Sequence, residues 1–385
     1  MHVNALSRIS RIPQSPPSSV RHYLPGGCES GGGIGRLVGY ISNAAKDTDR
    51  EHLITDTRGQ KWSPATSPAR LLAAVVIMAK DRVADPGRIH HIHIAGRGST
   101  SRKLILTGVA RLLGCRHILH LHDYDYARDF SRRTSTQKTR IRRMFQGADH
   151  VVVLGQRDHL TLTGDLGVDP QRIAVIRNCV PDPADRIVRV REDRRSEPPL
   201  IIFLGRLSER KGVPELLLAL SHPVMKELHW KAVVAGDGPV EDYRRQAAAL
   251  ALSDLVVMPG WLGADEARAL CSQADILVLP SYAEGMAMAV IEGIAHGLAV
   301  VTTRVGAHEE VISDGDTGVF VPVGDKDALA ATLAKLVCDR EQRNRLSTQA
   351  RLHYLNHFSM KTYMRSLEKL YDAVSAQPQT SAGAS

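Results

Sequence analysis

The sequence of 385 residues is poor in cysteine and in aromatic residues, and it has no long apolar run. Its five cysteines, Cys28, Cys115, Cys179, Cys271 and Cys338, are far apart and form no CxxC pair. That spacing excludes a zinc knuckle and a disulfide framework, and suits small core residues in a reducing cytoplasm. Phe, Trp and Tyr make up only 4% of the chain, too few for the stacking platforms that single-stranded nucleic acid uses, and no RNA module is visible. Nucleic acid is therefore not an expected partner. The longest uninterrupted apolar run, Leu71 to Ala79, is less than half a membrane span, and the basic N-terminus MHVNALSRISRIPQSPPSS lacks the apolar segment of a secretion signal. A cytoplasmic protein is expected, soluble or peripheral on the cytoplasmic face of the inner membrane.

What is present is charge and alternation. Lys and Arg number 50 against 41 Asp and Glu, a net charge of +9, which favours anionic partners such as phosphates, nucleic acid or acidic lipid without choosing among them. With 43% hydrophobic residues, a chain of this length outgrows one core and splits into two domains. Short apolar runs such as HHIHIAG, CRHILHLH, HVVVLG, LIIFLG, WKAVVAG, DILVLPS and GLAVVTT read as strands, and amphipathic segments of helical period separate many of them. Such alternation means parallel sheets with covered faces. The expected α/β architecture is two Rossmann-like halves, residues 20–180 and 199–355, joined by a charged, aperiodic linker at 181–198. A helix at 356–376 packs back on the first half, and the ends 1–19 and 377–385 are expected to be disordered.

Ligands of open parallel sheets bind beyond the carboxyl ends of the strands, so the turns there matter most. After LIIFLG comes RLSERKG, where Arg206 and Lys211 stand beside Gly205 and Gly212. Two cations with close backbone approach suit a diphosphate. After DILVLPS comes YAEGMAMAVIEG, with Glu284 in the loop and Glu292 on the second turn of a helix expected from Ala287 to His296. Backbone amides of Gly285, Met286, Ala287 and Met288 would open that helix toward an anion. The carboxylates on either side could accept hydrogen bonds from vicinal hydroxyls, which sugars supply.

FLGRLSERKG, VVAGDGP and ADILVLPSYAEGMAMAVIEGIAHGLAVVTTRVGAHEEVISDGDTGVFVPVGD together resemble the retaining glycosyltransferases of family 4. Their fold is GT-B, two Rossmann-like domains facing a central cleft. The resemblance runs from about Phe203 to Asp325, with Glu284 and Glu292 matching the family's EX7E pair, and implies a nucleotide-sugar donor. By that resemblance Arg206 and Lys211 contact the donor diphosphate, Glu292 the ribose, and Glu284 with the amides of residues 285–288 the donor sugar; Gly260 to Leu262 lie near the base. Met286 stands where an aromatic is common, Gly293 where Ala is usual and Ala299 where Pro is frequent.

In the first half, SGGGIGR, Ser30 to Arg36, looks like the family's Gly-rich loop, with Gly32 and Gly33 approaching the donor phosphates. As a dinucleotide fingerprint it is poor, because Arg36 stands where the third glycine belongs and no clear strand precedes it. In HLHDYDY, His122 matches the position of a histidine near the donor sugar, with His120 competing for that role. Asp123 and Asp125 form a DxD, but the family generally needs no catalytic metal, so neither metal nor cofactor is expected; Asp123 is a candidate for an acceptor hydroxyl. GRGSTSRK resembles a segment of polysaccharide-assembly members. Ser99 or Thr100 could cap the next helix while Arg102 and Lys103 face an anionic acceptor, although a capped helix with solvated cations fits as well. From Arg128 to Arg143 seven cations, with Phe130, Ile141, Met144 and Phe145 among them, read as a surface for anionic lipid. With the basic first half and the absent membrane span, the resemblance implies a retaining transferase using a UDP- or GDP-sugar and a saccharide or lipid-linked saccharide acceptor in exopolysaccharide or surface-glycan assembly. A GT-B nucleotide-sugar epimerase and a non-catalytic nucleotide-sugar-binding protein are the alternatives.

Overall fold

The computed structural model describes residues 17–28, 32–123, 125–183 and 197–377. Most of the expected end segments and of the linker therefore lie outside the described residues, as do Ser30, Gly31 and Tyr124. The first sheet contains β1 (Val20–Leu24), β2 (His52–Asp56), β3 (Ile89–Ile94), β4 (His117–Leu121), β5 (His150–Val153) and β6 (Ile173–Val175), in the order β2-β1-β3-β4-β5-β6. The second contains β7 (Leu200–Leu204), β8 (Lys231–Ala235), β9 (Val256–Gly260), β10 (Ile276–Leu279), β11 (Ala299–Thr303) and β12 (Val319–Val321), in the order β12-β11-β10-β7-β8-β9. Every neighbouring pair is parallel. The expected pair of Rossmann-like halves is thus the observed fold.

The apolar runs explain the central strands. β7, β10 and β11 are buried residue by residue, as strands covered on both faces must be. Three strands do not announce themselves in this way. β1, with the sequence VRHYL, carries Arg21 and His22; β2, HLITD, is largely polar and only partly buried; β12, VFV, is short. The Gly-rich loop is therefore preceded by a strand after all: β1 leads through the turn at Pro25–Cys28 towards Gly32 and the helix Gly33–Ala44. Its polar residues read as loop because they find partners only in the folded protein, where Arg21 pairs with Asp81 of the helix Thr66–Ala84.

The last helix, Met360–Ala376, leaves the second half and returns to the first. Leu367, Tyr371 and Val374 share a buried cluster with Val20, Ile41, Ile89, Ile118 and Val152. The order of each sheet changes direction once, between β1 and β3 in the first and between β7 and β10 in the second. A crevice opens where strand connections leave to opposite sides, and the two crevices face each other.

Candidate active site

The loops after β7 and β10 meet at Gly212. Its φ is +69°, and a Cβ there would collide with the Pro280 carbonyl, so only glycine lets the loops approach this closely. Their meeting brings Lys211 Nζ to 2.5 Å from Glu284 Oε1, which also accepts from Ser281 Oγ at 2.8 Å. Arg210 adds a second cation 3.4 Å from the same oxygen and donates to the Ala283 carbonyl. Burial alone would raise the Glu284 carboxyl, but Lys211, with help from Arg210 and Ser281, outweighs it and holds it below the usual range. Glu284 is 6% exposed and ionised.

The helix after this loop runs Met288–Ala295, slightly shorter than its sequence suggests. Its N-cap, Ala287, has extended backbone and supplies no capping side chain, and its carbonyl takes the Val290 and Ile291 amides, so the amides of Met288 and Ala289 stay open to a ligand. They face a cavity of about 360 Å³ lined by both halves. Of the residues anticipated for a donor, Gly33, His122, Arg206, Lys211, Glu284, Gly285, Met286, Ala287, Met288 and Glu292 line it. Gly32 instead caps the helix Gly33–Ala44, and Gly260 ends β9 one residue before Trp261, which does line the cavity. Of the two competing histidines, His122 borders the cavity and His120 is buried in the sheet.

Several cavity residues escaped sequence reading. Arg36, from the position that spoiled the dinucleotide fingerprint, reaches across the cleft and pairs with Glu292. Arg210 stands next to Lys211 and was hidden by it. Asn178 donates from its backbone N–H to the Met286 sulfur and from Nδ2 to the Met286 carbonyl, both at 3.2 Å, while its buried Oδ1 has no partner. Met286 thus belongs to the junction between the halves. A further junction lies at Glu310, which accepts from the Gln156 amide at 2.5 Å and from Arg177 at 2.9 Å. A spacing along one loop exposes contacts within that loop; these contacts join residues more than a hundred positions apart.

The anticipated acceptor residues are not gathered at the cavity. The helix beyond β3 begins at Arg97 with Gly96 as its cap, so Ser99 and Thr100 sit inside its first turn and cap nothing. Lys103 is fully buried, donating to Thr57 Oγ1 at 3.1 Å and to the Tyr23 carbonyl at 3.4 Å. Burial pushes its ammonium down to about 7, so it does not face an anionic acceptor. Ser99 accepts from the Ala95 amide, and the Nε of partly buried Arg102 has no partner. Asp123 is buried, its carboxyl raised chiefly by that burial, with Oδ1 taken by the Asp125 amide.

The cation run divides likewise. Arg132, Arg140, Arg142 and Arg143 are exposed, but Arg133 pairs with Asp129 at 3.0 Å, and Phe130, Ile141, Met144 and Phe145 belong to the core. The apolar half of the expected lipid-binding surface is therefore turned inward. Among the described residues, no helix is long and apolar enough to cross a membrane. Two histidine triads, His22, His91 and His93, and His93, His120 and His122, bring ring nitrogens within 4.8 Å of one another; they lie in the first sheet, and only His122 borders the cavity.

Residues 49–179 match the family described as "Glycosyl transferase 4-like domain" and residues 185–353 the one described as "Glycosyl transferases group 1". The GDP-mannose-dependent alpha-(1-6)-phosphatidylinositol monomannoside mannosyltransferase of Mycolicibacterium smegmatis is 26% identical over 304 residues, 73% of this chain and 76% of that one. A putative colanic acid biosynthesis glycosyltransferase of Salmonella typhimurium is 29% identical over 217 residues, 54% of this chain and 53% of that one. In structure, a glycosyltransferase from Rickettsia africae superposes with a TM-score of 0.77 at 18% identity, covering 94% of this chain and all of that one. An Anabaena protein solved in complex with UDP superposes with a TM-score of 0.70 at 15% identity, over 92% of this chain and all of that one.

Proposed function

Because the chain belongs to the GT-B glycosyltransferases, with a 4-like first half and a group 1 second half, we propose that it moves a sugar from a nucleotide-sugar, UDP- or GDP-linked, to a saccharide or lipid-linked saccharide acceptor with retention of configuration. The observation that carries the donor is the meeting of Arg206, Arg210 and Lys211 with the open amides of the helix Met288–Ala295 at the switch point of the second sheet. A diphosphate leaving group gains negative charge as the glycosidic bond breaks, and fixed donors and cations aimed at it stabilise that charge. In this reading Glu292 holds the ribose, Glu284 a hydroxyl of the transferred sugar, and His122 approaches the sugar from the first half. No side chain is assigned as a covalent nucleophile. Same-face attack by the acceptor hydroxyl, its proton passing to the departing phosphate oxygen, requires positioning and charge stabilisation, and no metal is invoked.

The relatives support the acceptor class: one is named for a lipid-linked saccharide and another for a polysaccharide. With the apolar residues of the cation run turned inward, attraction to a membrane would rest on Arg132, Arg140, Arg142 and Arg143 and would be weakened by salt. A thermal-shift panel of UDP-, GDP- and ADP-sugars tests the donor. A donor at roughly 100 times its Kd adds about 2.7 kcal/mol, an effect Glu292→Ala should remove. No shift with any nucleotide-sugar would refute the donor site, and conversion of a donor sugar to an isomer without acceptor would favour the epimerase.

A further inference from the structure

Six histidines crowd one face of the first sheet: His22 on β1, His52 on β2, His91 and His93 on β3, His120 on β4 and His122 just beyond it. Four of them form an unbroken line across the strands. His52 Nδ1 lies 2.9 Å from His22 Nε2, His22 Nδ1 lies 3.1 Å from His93 Nε2, and His93 Nδ1 lies 2.9 Å from His122 Nε2. The ring centroids are 5.2, 5.4 and 5.2 Å apart and the planes differ by 19–28°. Those separations equal one N···N hydrogen bond plus a ring radius at each end, so the imidazoles meet edge to edge. Each nitrogen points at the next ring and not at a common centre, as ligands of one metal ion would.

Every junction joins an Nδ1 to an Nε2. A neutral imidazole carries its proton on one nitrogen and leaves the other bare, so the tautomer of any one ring dictates all four. Burial keeps His22, His93 and His122 neutral, with His122 pushed down to about 3. The outer end decides the direction. His52 Nε2 faces Glu368 Oε1 at 3.7 Å, a gap slightly longer than a hydrogen bond, and neither atom has another partner. The other Glu368 oxygen accepts from Arg50 Nε at 2.6 Å. Burial would raise this carboxyl, but His52 and Arg50 outweigh it, and an ionised carboxylate only accepts. The nearby carboxylate favours Nε2–H on His52 over a bare Nε2; His22 and His93 then follow, and His122 donates through Nε2 and keeps Nδ1 bare.

We propose that Glu368, on the returning helix Met360–Ala376, fixes the tautomer of His122 through the relay His52–His22–His93, so that His122 meets the substrate with an unprotonated Nδ1 that accepts a hydrogen bond from a sugar or acceptor hydroxyl. Among the described residues His122 Nδ1 has no partner, and the ring borders the cavity. Glu368 is a positioning residue four rings from the site. A second column, Tyr371 OH to His91 Nδ1 at 2.7 Å and His91 Nε2 to His120 Nδ1 at 3.2 Å, packs against the first and ends at the unpartnered His120 Nε2. It does not reach the cavity.

The substrate half of the inference rests on the glycosyltransferase reading; the tautomer half does not. Long-range proton–nitrogen correlation spectra of protein labelled with ¹⁵N-histidine separate bare from protonated ring nitrogens in the free protein, and His122→Gln identifies the His122 signals. The expected pattern is a bare Nδ1 and a protonated Nε2. Glu368→Met, of similar length but without an acceptor, should turn His122 into a tautomer mixture and lower kcat/KM about 10- to 100-fold, by analogy with the loss when the partner orienting a metal-ligating histidine is removed. Glu368→Gln, whose amide oxygen still accepts, should restore the wild-type spectrum and most of the activity. Should Glu368→Met fail to fold, His52→Phe breaks the line at its outer end and should give the same mixture. A protonated Nδ1 in the wild type, an unchanged His122 spectrum in both variants, or a stoichiometric transition metal bound by these rings would overturn the proposal. A wild type with no turnover on any nucleotide-sugar would sink the glycosyltransferase reading and leave the tautomer result standing.

Discussion

Replacing Lys211 by Met tests whether the two loops of the second sheet are held by charge. Lys211 Nζ lies 2.5 Å and Arg210 3.4 Å from the Glu284 carboxylate. At an effective dielectric of 20 these correspond to gross attractions of roughly 7 and 5 kcal/mol. Arg210 is the more exposed of the two, its side chain 37% accessible against 13% for Lys211, so solvent screens its share more strongly. Removing one partner of a buried pair usually costs 3–5 kcal/mol; with Arg210 retaining part of the attraction, about 2–4 kcal/mol is expected at pH 7.5. Trp230, 2% exposed in the core of the second half, reports the loss by fluorescence in urea, which matters because a two-domain chain need not unfold in one step.

The pH dependence supplies the sharper test. In the wild type the Glu284 carboxyl is held low, so its contribution is complete above the unfolded value and is lost only as pH falls through the lower folded value; between pH 7.5 and 5.5 it is constant. In the variant, burial is the largest remaining influence and raises the carboxyl. Falling pH then protonates the folded state first and restores stability, so the deficit should shrink by about 1 kcal/mol at pH 5.5. Glu284→Gln in the Lys211→Met background should recover part of the loss, as coupled neighbours do. A deficit below about 1 kcal/mol at pH 7.5, or one that grows on acidification, would refute the reasoning.

Two further substitutions probe the frame of the site. Lys103→Met should stabilise the first half at pH 7, because an amine lowered by burial from its unfolded value to about 7 penalises folding there; the wild type regains stability as pH rises towards 10, so the variant's advantage in melting temperature should narrow at pH 9.5. Gly212→Ala should cost about 1–3 kcal/mol of second-half stability in urea and weaken any donor-induced thermal shift, since it forces a Cβ into the Pro280 carbonyl at a left-handed φ; wild-type behaviour in both measurements would contradict the close meeting of the loops.

Much of the second half was legible because its signals are local. Buried parallel strands are continuous apolar runs, and the residues after β7 and β10 are glycines and charges where the chain turns. Arg206, Lys211, Glu284 and Glu292 needed nothing beyond their own loops. The first half was read less well for a physical reason: its polar residues are satisfied by partners distant in sequence. β1 hides Arg21 and His22 among apolar residues; Arg21 finds Asp81 on the helix Thr66–Ala84, and His22 finds His93 across the sheet. The helix start at Arg97 depends on Gly96, whose φ of +61° no local pattern reveals, and that shift carried Lys103 from an expected surface into the core. The alternating histidines of HHIHI and HILHLH are visible in the sequence, but their alignment into one line requires the strand register that pairs His93 with His120 and His22 with His91.

The returning helix also sets an order of events during synthesis. Val20, Ile89, Ile118 and Val152, already joined by Leu37 and Ile41, complete their cluster against Leu367, Tyr371 and Val374, roughly 200 residues after β6 leaves the ribosome. At about 5–20 residues per second, the first half waits on the order of 10–40 s with part of that face uncovered. The second half contributes the strands of its own sheet within one continuous stretch, β7 to β12. The usual precedence of the N-terminal domain is thus inverted at the last step, and the half made first is finished last.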